Sequence, residues 1–260
     1  MSAFSGLPLL PQKVFDDMVT EIIGSTPGIT LEEAVTEALA TFEEDFRPDS
    51  LFVYRSDEAL KTKVKLDANL ATVERCADDE ESRVNCTFAF QGLRQTLTST
   101  NPADKGAWRL VESRKLAHTL VKLLKVKEGE DDDTEKDGAM EDDDDDDEED
   151  EEEDRILFHV SVLELLLFLA FSGASQFLSA ETAFSLSQEL MEVLIARFDS
   201  SISELRVASK LVDLLAVLLS QSCNRDFFRE AGVPVLSLCA KFHKKNAALN
   251  AKIEALTAAL

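Results

Sequence analysis

The sequence predicts an all-α protein, and three observations make that prediction. Glycine (9) and proline (6) are scarce in a 260-residue chain. A β-sandwich, which turns every ~8–12 residues, needs more turn formers than that. Apolar residues, leucine and alanine above all, recur three and four positions apart, the spacing that lines one face of a helix. The third observation is a pattern of paired apolar helices that repeats after residue 80. At 45% hydrophobic content the chain can bury one sizeable core or several smaller stacked ones.

The first element is a helix over about 11–24, with Val14, Phe15, Met18, Val19, Ile22 and Ile23 as its apolar positions. Pro27 and Gly28 break it from a second helix over 30–46. There Thr30 and Glu33 have the spacing of a capping box, in which each side chain satisfies the other residue's backbone amide. Leu31, Ala34, Val35, Ala38, Leu39, Phe42 and Phe46 follow on one face, and the opposite face is rich in glutamate. Arg47-Pro48-Asp49 ends this helix, because a residue before proline avoids helical geometry. A third helix is expected over about 57–77, completing an N-terminal helical segment, residues 1–80.

Residues 81–260 read as about three degenerate repeats. Each has an apolar helix, a short polar turn opening on an aromatic residue (Trp108, Phe177, Phe227), and a second apolar helix. Glu112, Glu181 and Glu230 stand at equivalent places before the last helix of each unit. Glu112 and Glu181 are 69 residues apart, or 42 once a 27-residue acidic tract between them is set aside; Glu181 and Glu230 are 49 apart. Repeats of roughly 40–47 residues belong to helical solenoids. The tract, residues 128–154, is therefore an insertion between adjacent repeats. The helices ending near Val126 and starting near Arg155 should pack together.

Within the third unit, Asn224-Arg225-Asp226-Phe227-Phe228-Arg229-Glu230-Ala231-Gly232-Val233-Pro234-Val235-Leu236 resembles the consensus of the armadillo-repeat family before its third helix. Gly232 suits a sharp turn there, and Pro234 is preorganised for the first turn of the next helix. The first two units have Glu112-Ser113-Arg114 and Glu181-Thr182-Ala183 instead. Phe15-Asp16, Glu33-Ala34, Glu37-Ala38 and Phe42-Glu43 are similar to a helical segment that precedes the array in one member of the family. The resemblance implies an armadillo-type right-handed α-solenoid and a non-catalytic protein-binding adaptor or scaffold. Family members that act as nucleotide exchange factors for the 70-kDa heat-shock chaperone add a further reading.

The tract holds 21 of the 51 acidic residues against one lysine, so it supplies −20 of the formal net charge of −24. Such dense like charge predicts a disordered loop. Its densest part, Asp142, Asp143, Asp144, Asp145, Asp146, Asp147, Glu148, Glu149, Asp150, Glu151, Glu152, Glu153 and Asp154, is the candidate contact for a basic protein, as in a histone chaperone. The bland alternative is a solubilising loop. Direct nucleic-acid binding is disfavoured, since the only concentrated charge repels phosphate.

The motifs of catalysis are missing: the chain has no P-loop, dinucleotide fingerprint, G-x-S-x-G or H-E-x-x-H. His118, His159 and His243 are scattered singly, and His159 reads as a hydrogen-bonded core residue. Cys76, Cys86, Cys223 and Cys239 form no C-x-x-C pair and read as reduced thiols inside helices. No enzyme, metal or cofactor is expected. The first residues show no secretory signal. The run 156–171 is too short for a membrane span and contains His159 and Glu164. The expected location is cytoplasmic and/or nuclear. Trp108 reads as an interhelical packing residue. Near the end, Leu249, Ile253, Leu256 and Leu260 share a face that can cover the last repeat or dock on another chain.

Overall fold

The computed structural model describes residues 10–42, 51–77, 83–99, 105–125, 145–172, 180–196, 205–221, 226 and 228–260. Among them every regular element is helical. The order is α1 (Leu10–Ser25), α2 (Leu31–Phe42), α3 (Asp57–Cys76), α4 (Arg83–Ser99), α5 (Lys105–Ser113), α6 (Leu116–Lys125), α7 (Asp145–Ser172), α8 (Ala180–Ala196) and α9 (Leu205–Gln221). A π-helical turn (Phe228–Gly232), α10 (Val233–Phe242) and α11 (Ala247–Ala259) complete it. The chain forms two compact units, 1–116 and 117–260.

In the first unit α1 packs on α2, and α3 on α4 and α5. The capping box starts α2. Thr30 Oγ1 accepts from the Glu33 amide at 3.3 Å, and the Thr30 amide donates to Glu33 Oε2 at 2.9 Å. Those backbone and hydroxyl donors hold the Glu33 carboxyl below its usual range. Ala34, Val35, Ala38 and Phe42 are buried as their spacing requires. Ser56 caps α3 by accepting from the Ala59 amide at 3.2 Å. Between α2 and α3 runs a strap in which Leu51, Phe52 and Tyr54 are buried. Phe15, fully buried, meets Phe42 and Tyr54 edge-on with ring centroids 5.7 and 6.2 Å apart. The Gln12 amide pins the strap as a neighbouring strand would. Its oxygen accepts from the Phe52 amide at 2.7 Å, and its nitrogen donates to the Phe52 carbonyl at 3.3 Å.

The compact units divide at 116/117, whereas the sequence places the start of the repeats at 81. α3 and α4 bury Leu66, Leu70 and Val73 with Cys86, Phe90, Leu93 and Leu97, so the helix expected to open the first repeat belongs to the N-terminal unit. Two buried faces of matching length hold together regardless of sequence periodicity.

In the second unit α7 and α8 pack on α9, α10 on α8 and α11, and α11 on α9. α7 and α9 run in the same direction. Glu153 and Glu164 on α7 pair with Arg206 and Lys210 on α9 in the same sequence order. Helices on both sides of the acidic tract meet: Ala117 and Val121 of α6 line one small apolar void with Leu166, Leu169 and Ala170 of α7.

Two sequence expectations change here. α7 begins at Asp145, ten residues before Arg155, so residues 145–154 are its first turns and not a disordered loop. Carboxylates at a helix N-terminus are favoured by the macrodipole, glutamate is a good helix former, and the apolar run that follows supplies the packing. Residues 126–144 lie outside the described residues. Gly232 adopts a right-handed conformation, φ −81° and ψ −40°, so its freedom to turn is not used. A Cβ there would sit 3.4 Å from Met191 of α8, an ordinary contact. Pro234 does stand in the first turn of α10. Glu112 lies in the last turn of α5, Glu181 in the first turn of α8 and Glu230 in the π turn.

Leu249, Ile253 and Leu256 of α11 are buried within the unit, which occupies the apolar face that had been open to another chain. His159 is buried beside Phe158, and Trp108 is half-buried in α5. Cys76, Cys86 and Cys239 are buried outside any disulfide, and burial raises the Cys239 pKa. Cys223, Phe177 and Phe227 lie outside the described residues.

Candidate functional site

The second unit carries an open cleft of ≈ 490 Å³ framed by α7, α9 and α11. Each helix contributes through its amphipathic pattern. α7 turns its buried row (Val162, Leu163, Leu166, Leu169) inward, which leaves Val160 and Glu164 on the cleft side. α9 buries Val207, Ala208, Leu211 and Val212 and presents Leu205, Arg206, Ser209 and Lys210. Asn246 caps α11, its side chain accepting from the Leu249 amide at 2.9 Å, and Ala248, Leu249 and Lys252 line the cleft.

The cleft combines an apolar floor with a charged rim. Val160, Leu205, Ala248 and Leu249 supply the apolar surface. Arg206 donates from both terminal nitrogens to the two Glu153 oxygens, at 3.0 and 2.7 Å. Lys210 Nζ reaches Glu164 Oε1 at 2.8 Å. Lys252 Nζ lies 2.7 Å from Asp213 Oδ1 and 3.3 Å from Ser209 Oγ. The Arg206 hydrogen bonds hold the Glu153 carboxyl below its usual range. Three cations and three carboxylates thus alternate across the three helices, each half-exposed and able to exchange partners at little cost.

Of the acidic residues expected to contact a basic partner, Asp142, Asp143 and Asp144 lie outside the described residues. Asp145 to Asp154 ride on the first turns of α7. Glu153 and Asp154, the two whose side chains are described, are exposed, and Glu153 is engaged by Arg206 of the same chain.

Sequence reasoning missed the rim. Glu164 stood out as a charge inside an apolar run, and such a charge requires a partner or solvent. Arg206 and Lys210, one helical turn apart, are those partners, but their pairing with α7 depends on how two separate helices pack. It missed a second cluster as well, in the first unit. Lys63, 7% exposed at its side chain, lies 2.6 Å from Asp16 and 2.7 Å from Asp67. Burial alone lowers the Lys63 pKa, but the hydrogen bonds to Asp16 and Asp67 outweigh it and the net shift is upward. Burial raises the neighbouring Tyr54 hydroxyl, and the Asp16 charge adds to that shift. This cluster ties α1, α3 and the strap together.

Among the described residues no group of three or more His, Cys, Asp or Glu side chains is placed to hold a metal ion, and no helix is long and apolar enough to cross a membrane. Scans against protein-family models, curated proteins and solved structures each find no match to this chain.

Proposed function

We propose that this protein is a non-catalytic, protein-binding scaffold built on armadillo-type helical repeats. Its second unit would hold a polypeptide segment in the cleft of α7, α9 and α11. The same-direction packing of α7 and α9 supports the repeat reading, because stacked repeats bring equivalent helices side by side in parallel. The observation that carries the binding reading is the cleft itself: an open apolar floor, rimmed by ion pairs that are mutually satisfied and readily exchanged. Interfaces of this kind take affinity from the apolar centre, and selectivity and association rate from the charged rim. The test compares wild type with the double variant Lys210→Glu, Lys252→Glu in affinity capture from the native cell. Hydrogen exchange then follows on the recovered complex. Loss of the partner with the variant, and protection over 160–164, 205–210 and 246–252 in wild type, is the expected result. Equal capture would send the binding surface elsewhere.

A second reading is favoured by the helical state of residues 145–154. Ten consecutive acidic residues on the first turns of α7 make a helical extension of about 15 Å that concentrates negative charge for a basic partner. Binding there would be fast and sensitive to salt. Capture of basic proteins that persists unchanged at high salt would count against it.

A further inference from the structure

α10 carries a surface that neither reading uses. Pro234, Leu238 and Phe242 recur every four residues along its outward side, and Val235, Leu236 and Cys239 face the core. Leu238 and Phe242 are 46% and 50% exposed, one helical turn apart. The Phe242 ring meets His243 edge-on with centroids 5.5 Å apart, which holds it outward. Lys241 shares this face, and Lys244 and Lys245 stand in the turn that follows, all three exposed. Among the described residues none of these lysines has an ion-pair partner, in contrast to Arg206, Lys210 and Lys252. Lysines at a helix C-terminus complement the macrodipole, and that accounts for the charge. It does not account for two exposed apolar side chains beside it.

We propose that the outward face of α10 docks an acidic amphipathic helix of a partner protein. Such a helix lays two apolar residues, one turn apart, against Leu238 and Phe242 and sets carboxylates opposite Lys241, Lys244 and Lys245. Helix-on-face recognition is read through anchors at this spacing, and unpaired cations at the rim select an acidic partner. A lipid surface fits less well. Two apolar side chains on a ten-residue helix insert too little into a bilayer, and the tract's charge opposes an anionic membrane. The proposal concerns a different surface from the cleft, so the two fail independently.

The test uses the full chain and a fluorescein-labelled glutamate-rich amphipathic peptide with leucines at i and i+4, followed by anisotropy. A second peptide has the same composition with its leucines dispersed around the helix. Wild type should bind the first peptide, bind it less at about 0.5 M salt, and gain exchange protection over 234–245. Leu238→Ser with Phe242→Ser should weaken it about tenfold or more, as should Lys241→Glu with Lys244→Glu and Lys245→Glu. Lys210→Glu with Lys252→Glu should leave it unchanged. Four results would overturn the proposal: no binding, equal binding of the dispersed peptide, preference for phosphatidylserine vesicles, or a self-association that the α10 variants abolish.

Discussion

Glu153 of α7 and Arg206 of α9 form a two-pronged ion pair, 53 residues apart in sequence, with both guanidinium contacts within 3.0 Å. It fastens the C-terminal end of the acidic helical extension to the folded unit. The consequence is a local one. Arg206→Glu should fray residues 145–154, seen as faster amide exchange there, while α9 keeps its protection. The direction of the Glu153 shift sets the pH window. A carboxyl held below its unfolded range contributes stability above that range, and the contribution is lost as pH falls through the lowered value. The fastening should therefore persist at neutral pH, weaken in strong salt, and fail only in acid. Unchanged exchange in the variant would mean that the extension holds itself up.

The buried cluster of the first unit predicts a larger effect. Lys63→Met removes the cation between Asp16 and Asp67 and leaves Asp16 desolvated, with the Gln12 hydrogen bond but no positive charge beside it. Breaking such a pair costs several kcal/mol when fully buried; Asp16 and Asp67 keep part of their solvent, so about 2–3 kcal/mol is expected at pH 7. Burial raises the Asp16 pKa, so its folded state gains relative stability by taking up a proton. The deficit of the variant should accordingly shrink as pH falls through the raised value toward the ordinary carboxylate range, and change no further below it. Lys63 works in the other direction. Its raised pKa means a contribution present below 10.5 and lost as pH climbs through the raised value. Urea titrations of both proteins across this range would check both signs, and a pH-independent deficit would refute the ion-pair account.

Gly92 of α4 faces Asn69 of α3 so closely that a Cβ would fall 2.6 Å from the Asn69 side-chain nitrogen. The clash is with the far end of a flexible, half-exposed side chain, which can swing aside. Alanine at an internal helical position gains up to about 1 kcal/mol over glycine. Gly92→Ala alone should lie within about 0.5 kcal/mol of wild type, and Gly92→Ala with Asn69→Ala should be the more stable by about 0.5–1 kcal/mol. A loss above about 2 kcal/mol for the single variant would show that the helices cannot relax.

These residues also mark what was legible in the sequence. α2 was readable because its start and its buried row are local signals: Thr30 with Glu33, then Ala34, Val35, Ala38 and Phe42; its expected stop at Arg47-Pro48-Asp49 lies outside the described residues. Pro234 was readable for the same reason. The Gln12 bracket on Phe52 was not, because an amide 40 residues from its partners carries no local signature. The cleft rim escaped likewise: Arg206, Lys210, Asp213 and Lys252 look like ordinary solvated charges, and the partner that Glu164 needs is not visible, until three helices bring them together. The start of α7 failed in the other direction. Composition argued for disorder over 145–154, whereas the packing of the apolar residues behind it, with Arg206 alongside, holds the helix that far.

That difference divides the acidic tract into two parts that respond differently to neutralisation at constant length. Replacing the acidic residues of 128–144 by asparagine and glutamine leaves Glu153, Arg206 and every described helix untouched. The unfolding midpoint of the second unit should stay where it is. Neutralising 145–154 removes the carboxylates that complement the N-terminus of α7 and the Glu153 contact, but it also relieves repulsion among ten adjacent charges. The two effects oppose, and the Glu153 contact with Arg206 is exposed, so lost repulsion should win and the helix should become better protected from exchange. Restoring Glu153 alone in the neutralised background isolates the fastening, since it adds one carboxylate with no like neighbours. Protection over 145–154 should then rise again at low salt and not at high salt. If full neutralisation unravels the start of α7 instead, the macrodipole term dominates over repulsion there.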